Sequence, residues 1–80
     1  MKIQVLGGGC PKCKMVEENV HKALSQLGIE ADIVKVKDIN EIVGFGVMST
    51  PALAINGKVK VAGRIPDVNE IMKWIKEANE

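Results

Sequence analysis

Residues 50–62, Thr-Pro-Ala-Leu-Ala-Ile-Asn-Gly-Lys-Val-Lys-Val-Ala, read as two extended runs joined at Asn56-Gly57. A type I′ turn needs positive φ at both central positions, and Asn-Gly meets that need at little steric cost, so the pair predicts a hairpin. Ala52 to Ile55 and Lys58 to Ala62 are then antiparallel strands. Upstream, Lys2 to Leu6 has the pattern of a short buried strand, ended by Gly7, Gly8 and Gly9. From Pro11 to about Leu27 the apolar residues Val16, Val20, Ala23, Leu24 and Leu27 recur at helical spacing, and Gly28 supplies a left-handed cap. Ala31 to Lys37 alternates, with Val34 and Val36 on one face and Lys35 and Lys37 on the other, which predicts a strand.

Two acidic capping patterns open the remaining helices. Asp38 with Glu41 starts a short one through Ile42 and Val43, which stops at Gly44 and Gly46. Asp67 with Glu70, after Pro66, starts the last, whose stripe is Val68, Ile71, Trp74, Ile75 and Ala78. The order is β-α-β-α-β-β-α, one domain over residues 1–80. Strands joined through a helix run parallel, and strands joined by a tight turn run antiparallel. An α/β fold follows, with a four-strand mixed sheet and three helices.

Composition narrows the function. The 80 residues carry a formal net charge of +1, with one Phe and one Trp. Neither a basic surface nor an aromatic stacking platform for nucleic acid is present. No apolar run reaches the roughly 20 residues that span a bilayer, and Met1 to Leu6 is too short for a signal peptide. A cytoplasmic protein with no membrane or nucleic-acid partner is expected. In that reducing compartment a cysteine pair points to catalysis or metal rather than to a staple.

The two cysteines stand in residues 7–13, Gly-Gly-Gly-Cys-Pro-Lys-Cys. A phosphate cradle does not fit: Lys12 stands where a dinucleotide fingerprint has its third glycine, and no Gly-Lys-Ser/Thr closes a P-loop. A soft-metal clip is a real alternative, since Cys10 and Cys13 could hold Cu(I). Zinc would need more ligands than two cysteines and His21, hence a dimer. The ferredoxin-like metallochaperone order, β-α-β-β-α-β, also differs from the order here. A redox dithiol accounts for the residues individually. Cys10 falls at the helix start, where free N–H groups and the helix dipole favour a thiolate. Pro11 suits the first helical position, Lys12 adds a positive charge, and Cys13 lies one turn deeper on the same face, within disulfide reach.

With these residues in place the chain resembles the thioredoxin superfamily, and within it the small glutaredoxin-like thioredoxins of archaea and bacteria. The resemblance spans nearly the whole chain. It rests on Cys10-Pro11-Lys12-Cys13 after the first strand, Thr50-Pro51 before the hairpin, Asn56-Gly57 at its turn and Ala62-Gly63-Arg64 before the last helix. It implies a thioredoxin-like fold and a thiol-disulfide oxidoreductase acting on protein disulfides. Cys10 would be the nucleophile and Cys13 the resolving thiol, with Pro11 and Lys12 supporting them. Pro51 would be a cis-proline against the disulfide, and Thr50, Ala62 and Gly63 would meet an extended substrate. The redox-active disulfide would be the only prosthetic element, with no metal or cofactor. A thioredoxin-reductase-like donor and a monomeric state are expected. Two positions depart from thioredoxins: Gly9 replaces the Trp before the first cysteine, and Gln4 replaces a buried acid on the first strand.

Other residues keep two readings. Glu17, four residues after Cys13, could relay its proton or pair with His21 as a surface glutamate. Met48 could line a substrate groove or fill the core. Arg64 could orient an acidic substrate or face solvent, His21 is expected in solvent, and Trp74 is expected in the core.

Overall fold

The computed structural model describes residues 1–7 and 11–79. Expectations that fall on Gly8, Gly9 and Cys10 therefore lie outside the described residues. The elements are β1 (Lys2–Leu6), α1 (Pro11–Leu27), β2 (Asp32–Val36), α2 (Ile39–Gly44), β3 (Ala52–Ile55), β4 (Lys58–Ala62) and α3 (Val68–Asn79). Among the described residues the strands form one sheet in the order β2-β1-β3-β4. β1 pairs with β2 in parallel, and β3 pairs antiparallel with both β1 and β4.

Alternation along the strands divides the interior in two. Ile3, Val5, Leu53 and Ile55 face α1 and α3, where they meet Val16, Val20, Ala23, Leu24, Ile71 and Ile75. Leu6 and Ala52 face the opposite side with Val36, Ile42 of α2 and Val47. The second layer is thinner because α2 has only six residues. Both central strands bury apolar side chains on both faces, as a covered sheet requires.

The turns follow from their residues. Asn56 (φ 52°) and Gly57 (φ 84°) form the hairpin bend. Asn56 also anchors it to β1: its Oδ1 accepts from the Lys2 N–H at 3.0 Å. Gly28 (φ 66°) ends α1, and the Ile29 N–H reaches back to the Leu24 carbonyl at 3.1 Å. At α3 the capping box is complete, with Glu70 N–H donating to Asp67 Oδ1 at 2.8 Å and Asp67 N–H to Glu70 Oε1 at 3.4 Å.

Four details differ from the sequence reading. β2 ends at Val36 rather than Lys37, and Val34 is 36% exposed because it lies on the thinly covered face. Ile33, one residue earlier, is the β2 side chain that packs against the larger core. At α2, Asp38 caps alone: its Oδ1 accepts from the Asn40 N–H at 2.8 Å. Trp74 is half-buried at the margin of the core rather than inside it. In β4 the register shifts between its pairings with Leu53 and Ala54, so Lys60 is the extra residue of a bulge. The bulge explains how Val59 and Val61, two apart, reach different cores.

Candidate active site

The end of β1 meets the start of α1 at one point. The Gly7 N–H donates to the Val36 carbonyl at 2.9 Å and so extends the parallel pairing past Leu6. Pro11 is the first residue of α1, where its missing N–H costs no helical bond. Cys13 follows on the inner stripe with Val16 and Val20 and is 5% exposed. A Cβ placed on Gly7 would overlap the Cys13 sulfur, and would lie 3.4 Å from Cys13 Cβ and 3.9 Å from Thr50 Cβ. Gly7, Cys13 and Thr50 thus converge. The three glycines read alike in the sequence; at Gly7 the reason for glycine is close approach to the Cys13 sulfur.

The Thr50–Pro51 peptide bond is cis, and Pro51 is buried. Its carbonyl accepts from the Gly63 N–H at 2.9 Å. Gly63 turns the chain after β4 with φ 81°, and a Cβ there would come within 3.1 Å of Ser49 Cβ. The Thr50-Pro51 and Ala62-Gly63 segments, distant in sequence, therefore form one rim beside Cys13. Ala62 and Thr50 are exposed on it. Lys12 is also exposed, one residue before Cys13 on α1.

The next residue, Arg64, is held by its neighbours. Its guanidinium makes a two-pronged contact with Glu70, Nη1 to Oε1 at 2.8 Å and Nη2 to Oε2. Hydrogen bonding from Arg64, with help from the Asp67 backbone and against some desolvation, lowers the Glu70 carboxyl from 4.5 to about 2. Glu70 in turn raises the Arg64 guanidinium. Asn19 of α1 donates to the Pro66 carbonyl at 2.9 Å, which ties the same loop to the helix carrying Cys13.

A cavity of about 150 Å³ lies behind Cys13, lined by Val5, Gly7, Lys14, Glu17, Lys35 and Lys37. Glu17 is its one carboxylate. Oε2 of Glu17 sits 3.1 Å from Lys35 Nζ, and Oε1 sits 3.8 Å from His21 Nε2. The His21 contact matches the spacing read from the helix, and His21 is largely in solvent. The Lys35 contact was missed by sequence reading, although strand alternation carried its signal. Lys35 pairs in register with Val5, whose side chain faces α1. Gln4 turns the other way, its Oε1 accepting from the Gly57 N–H at 3.2 Å. Among the described residues, no group of three or more His, Cys, Asp or Glu is placed to hold a metal.

The thioredoxin-domain family model matches residues 1–76. The chain belongs to the thioredoxin family. It is 47% identical over 74 residues to a thioredoxin of Methanocaldococcus jannaschii, spanning 92% of this chain and 85% of that one. It is 41% identical over 73 residues to a thioredoxin of Methanothermobacter thermautotrophicus, spanning 91% and 95%. A solved structure of thioredoxin-2, a component of malaria parasite protein secretion machinery, matches with TM-score 0.68. That match covers 95% of this chain and 81% of the other at 20% identity, a likeness of fold. Within the thioredoxin fold, the rim described above lies where the strand, helix and hairpin ends of the chain meet. No helix among the described residues is long and apolar enough to cross a membrane.

Proposed function

We propose that this protein is a thiol-disulfide oxidoreductase that reduces protein disulfides through the Cys10 and Cys13 dithiol. The observation that carries the reading is the convergence of Cys13, the side-chain-free Gly7 and the Thr50-Pro51 rim. Membership of the thioredoxin family supports the same class of chemistry. A thiol buried behind an open rim is suited to resolving a bond made by another thiol, and Cys10, three residues before it in sequence, is the partner proposed for it.

The Cys10 thiolate attacks one sulfur of a substrate disulfide, and the other substrate sulfur leaves as a thiolate that takes up a proton. The Cys13 thiolate then attacks Cys10 in the mixed disulfide and expels the second substrate thiol. Two electrons pass to the substrate, and the protein is left with a Cys10–Cys13 disulfide. A dithiol donor of thioredoxin-reductase type returns it to the reduced state by the reverse exchange. Cys13 must lose its proton for the second step, because the thiolate is the nucleophile. Glu17 is the group to receive it across the cavity, where the volume accommodates several waters of about 30 Å³ each. Lys35 holds Glu17 in place on the cavity wall.

The test is a redox titration of metal-free protein, combined with reduction of insulin disulfides. A reversible two-electron couple with turnover supports the reading. Tight Cu(I) or Zn binding without turnover would replace it with a soft-metal module.

A further inference from the structure

Large apolar side chains are exposed unevenly over the surface. Met48 is 92% exposed, Ile39 71% and Val43 57%. These three line one groove of about 330 Å³, together with Ile42, Val47, Lys37 and Thr50. Ile42 and Val47 are buried and form its floor. Ile39 and Val43 stand four residues apart on α2, hence on one side of that helix. Apolar groups gathered in this way mark a binding surface more often than scattered ones do. The groove ends at Thr50, whose other neighbour is the Gly7–Cys13 contact.

Among the described residues that line the groove the charged one is Lys37. Lys37 lines both the groove and the cavity behind Cys13, so the two spaces share a wall. Lys14 and Lys35 line that cavity as well, against the single carboxylate of Glu17, which is engaged by Lys35. Among the described residues Lys14 and Lys37 have no carboxylate within ion-pair distance. The nearby acids of α2 are turned to other work. Asp38 caps the helix, and Glu41 lines a separate hollow with Lys2, Gln4 and Val34. On the far side of the rim, the positive charge of Arg64 is already neutralised by Glu70.

We infer that this groove is the specificity site for the polypeptide whose disulfide is exchanged. It takes a segment with a bulky aliphatic residue beside the reactive cysteine and an acidic residue next to that. The inference rests on the oxidoreductase reading for its cysteine, and on the groove alone for its flanking residues. The aliphatic side chain fills the space between Ile39, Val43 and Met48, and the carboxylate meets Lys37. A second copy of this chain paired groove to groove is a poor occupant, because no carboxylate among the described residues lines the groove to meet Lys37.

Four peptides test this, each with one cysteine carried as a mixed disulfide with thionitrobenzoate, whose release is read at 412 nm. The residues flanking the cysteine are Leu-Glu, Leu-Lys, Ser-Glu or Ser-Lys. Each variant's kcat/KM is divided by its own rate with the small disulfide dithiobis(nitrobenzoate), which has no flanking residues. The Leu-Glu peptide is expected to lead each singly altered peptide by about tenfold, the scale on which a pocket separates apolar side chains. Lys37→Glu is expected to reverse the Glu-over-Lys preference, and Val43→Ser with Met48→Ser to erase the Leu-over-Ser preference. Equal values for all four peptides, or a charge preference untouched by Lys37→Glu, would overturn the inference. Fluorescence anisotropy with the same peptides carrying Ser for Cys reads docking without chemistry. If the ranking appears there while no peptide disulfide turns over, the groove stands and the oxidoreductase reading fails. Sedimentation showing a dimer that dissociates on Met48→Ser would assign the groove to self-association instead.

Discussion

Gly7→Ala is the change whose effect the site geometry fixes most tightly. The new Cβ would overlap the Cys13 sulfur, while its other neighbours, Cys13 Cβ and Thr50 Cβ, lie at 3.4 and 3.9 Å and accept it as ordinary contacts. Cys13 is 5% exposed, and the space beside its sulfur is the cavity of about 150 Å³ behind it, so relieving the overlap displaces the sulfur from its packed place against Gly7. Overpacking of this kind costs about 1–3 kcal/mol. Gly7 lies outside the left-handed φ region, so alanine brings no backbone strain. It should instead return about 0.4–1 kcal/mol by restricting the unfolded chain. The net loss is then roughly 0.5–2 kcal/mol, and all of it depends on one sulfur. Removing that sulfur should reverse the sign. In a Cys13→Ala background, Gly7→Ala is expected to be neutral or stabilising, with a coupling energy of about 1–3 kcal/mol. Urea unfolding of the four proteins under reducing conditions measures this. With a slope near 1 kcal/mol/M for a small chain, the Gly7→Ala midpoint falls by roughly 0.5–2 M only when Cys13 is present. The same loss with and without the sulfur would refute the convergence of Gly7 and Cys13.

Three further outcomes follow from other parts of the molecule. Glu70 has a carboxyl lowered to about 2 in the folded state, so its clamp on Arg64 is fully formed above about pH 4.5 and is lost as pH falls toward 2. The difference in denaturation midpoint between wild type and Glu70→Gln should therefore be present at pH 7 and shrink toward pH 2; a constant difference would contradict it. Ile71→Ala removes a fully buried side chain from the core between α1, α3 and the sheet, and should cost about 2–5 kcal/mol by chemical denaturation. Glu17→Gln should slow the second exchange step more than the first in rapid-mixing experiments. Equal slowing of both steps would remove Glu17 from proton transfer.

The elements were legible in the sequence wherever a local rule decides. Asn56-Gly57 dictates its own backbone, Gly28 and Asp67 with Glu70 mark helix ends, and the α1 and α3 stripes repeat at helical spacing. Legibility fell where the outcome depends on what covers a face. Val34 and Ile33 are adjacent and similarly apolar, and the shortness of α2 leaves one of them exposed. The bulge at Lys60 has no local signal, since Lys58 to Ala62 alternates as a regular strand would. At the site, the Cys13 and Thr50-Pro51 segments were readable from residue type, while Cys10 lies outside the described residues. The Glu17–Lys35 pair joins a helix to a strand that is adjacent only after folding. Arg64 had two readings, and its contact with Glu70 depends on the turn at Gly63 bringing the loop back over α3.

The proposed roles, Cys10 as attacking thiol and Cys13 as resolving thiol, are separated by trapping. Cys13→Ser protein is mixed with a disulfide-bonded protein substrate, quenched in acid and analysed by intact and peptide mass spectrometry without reductant. A covalent adduct should accumulate, with the substrate joined through Cys10, and added dithiol should release it. Wild-type protein under the same conditions should carry the Cys10–Cys13 disulfide and no adduct. Full turnover by Cys13→Ser without an adduct, or an adduct at Cys13 in a Cys10→Ser variant at the same rate, would contradict the account.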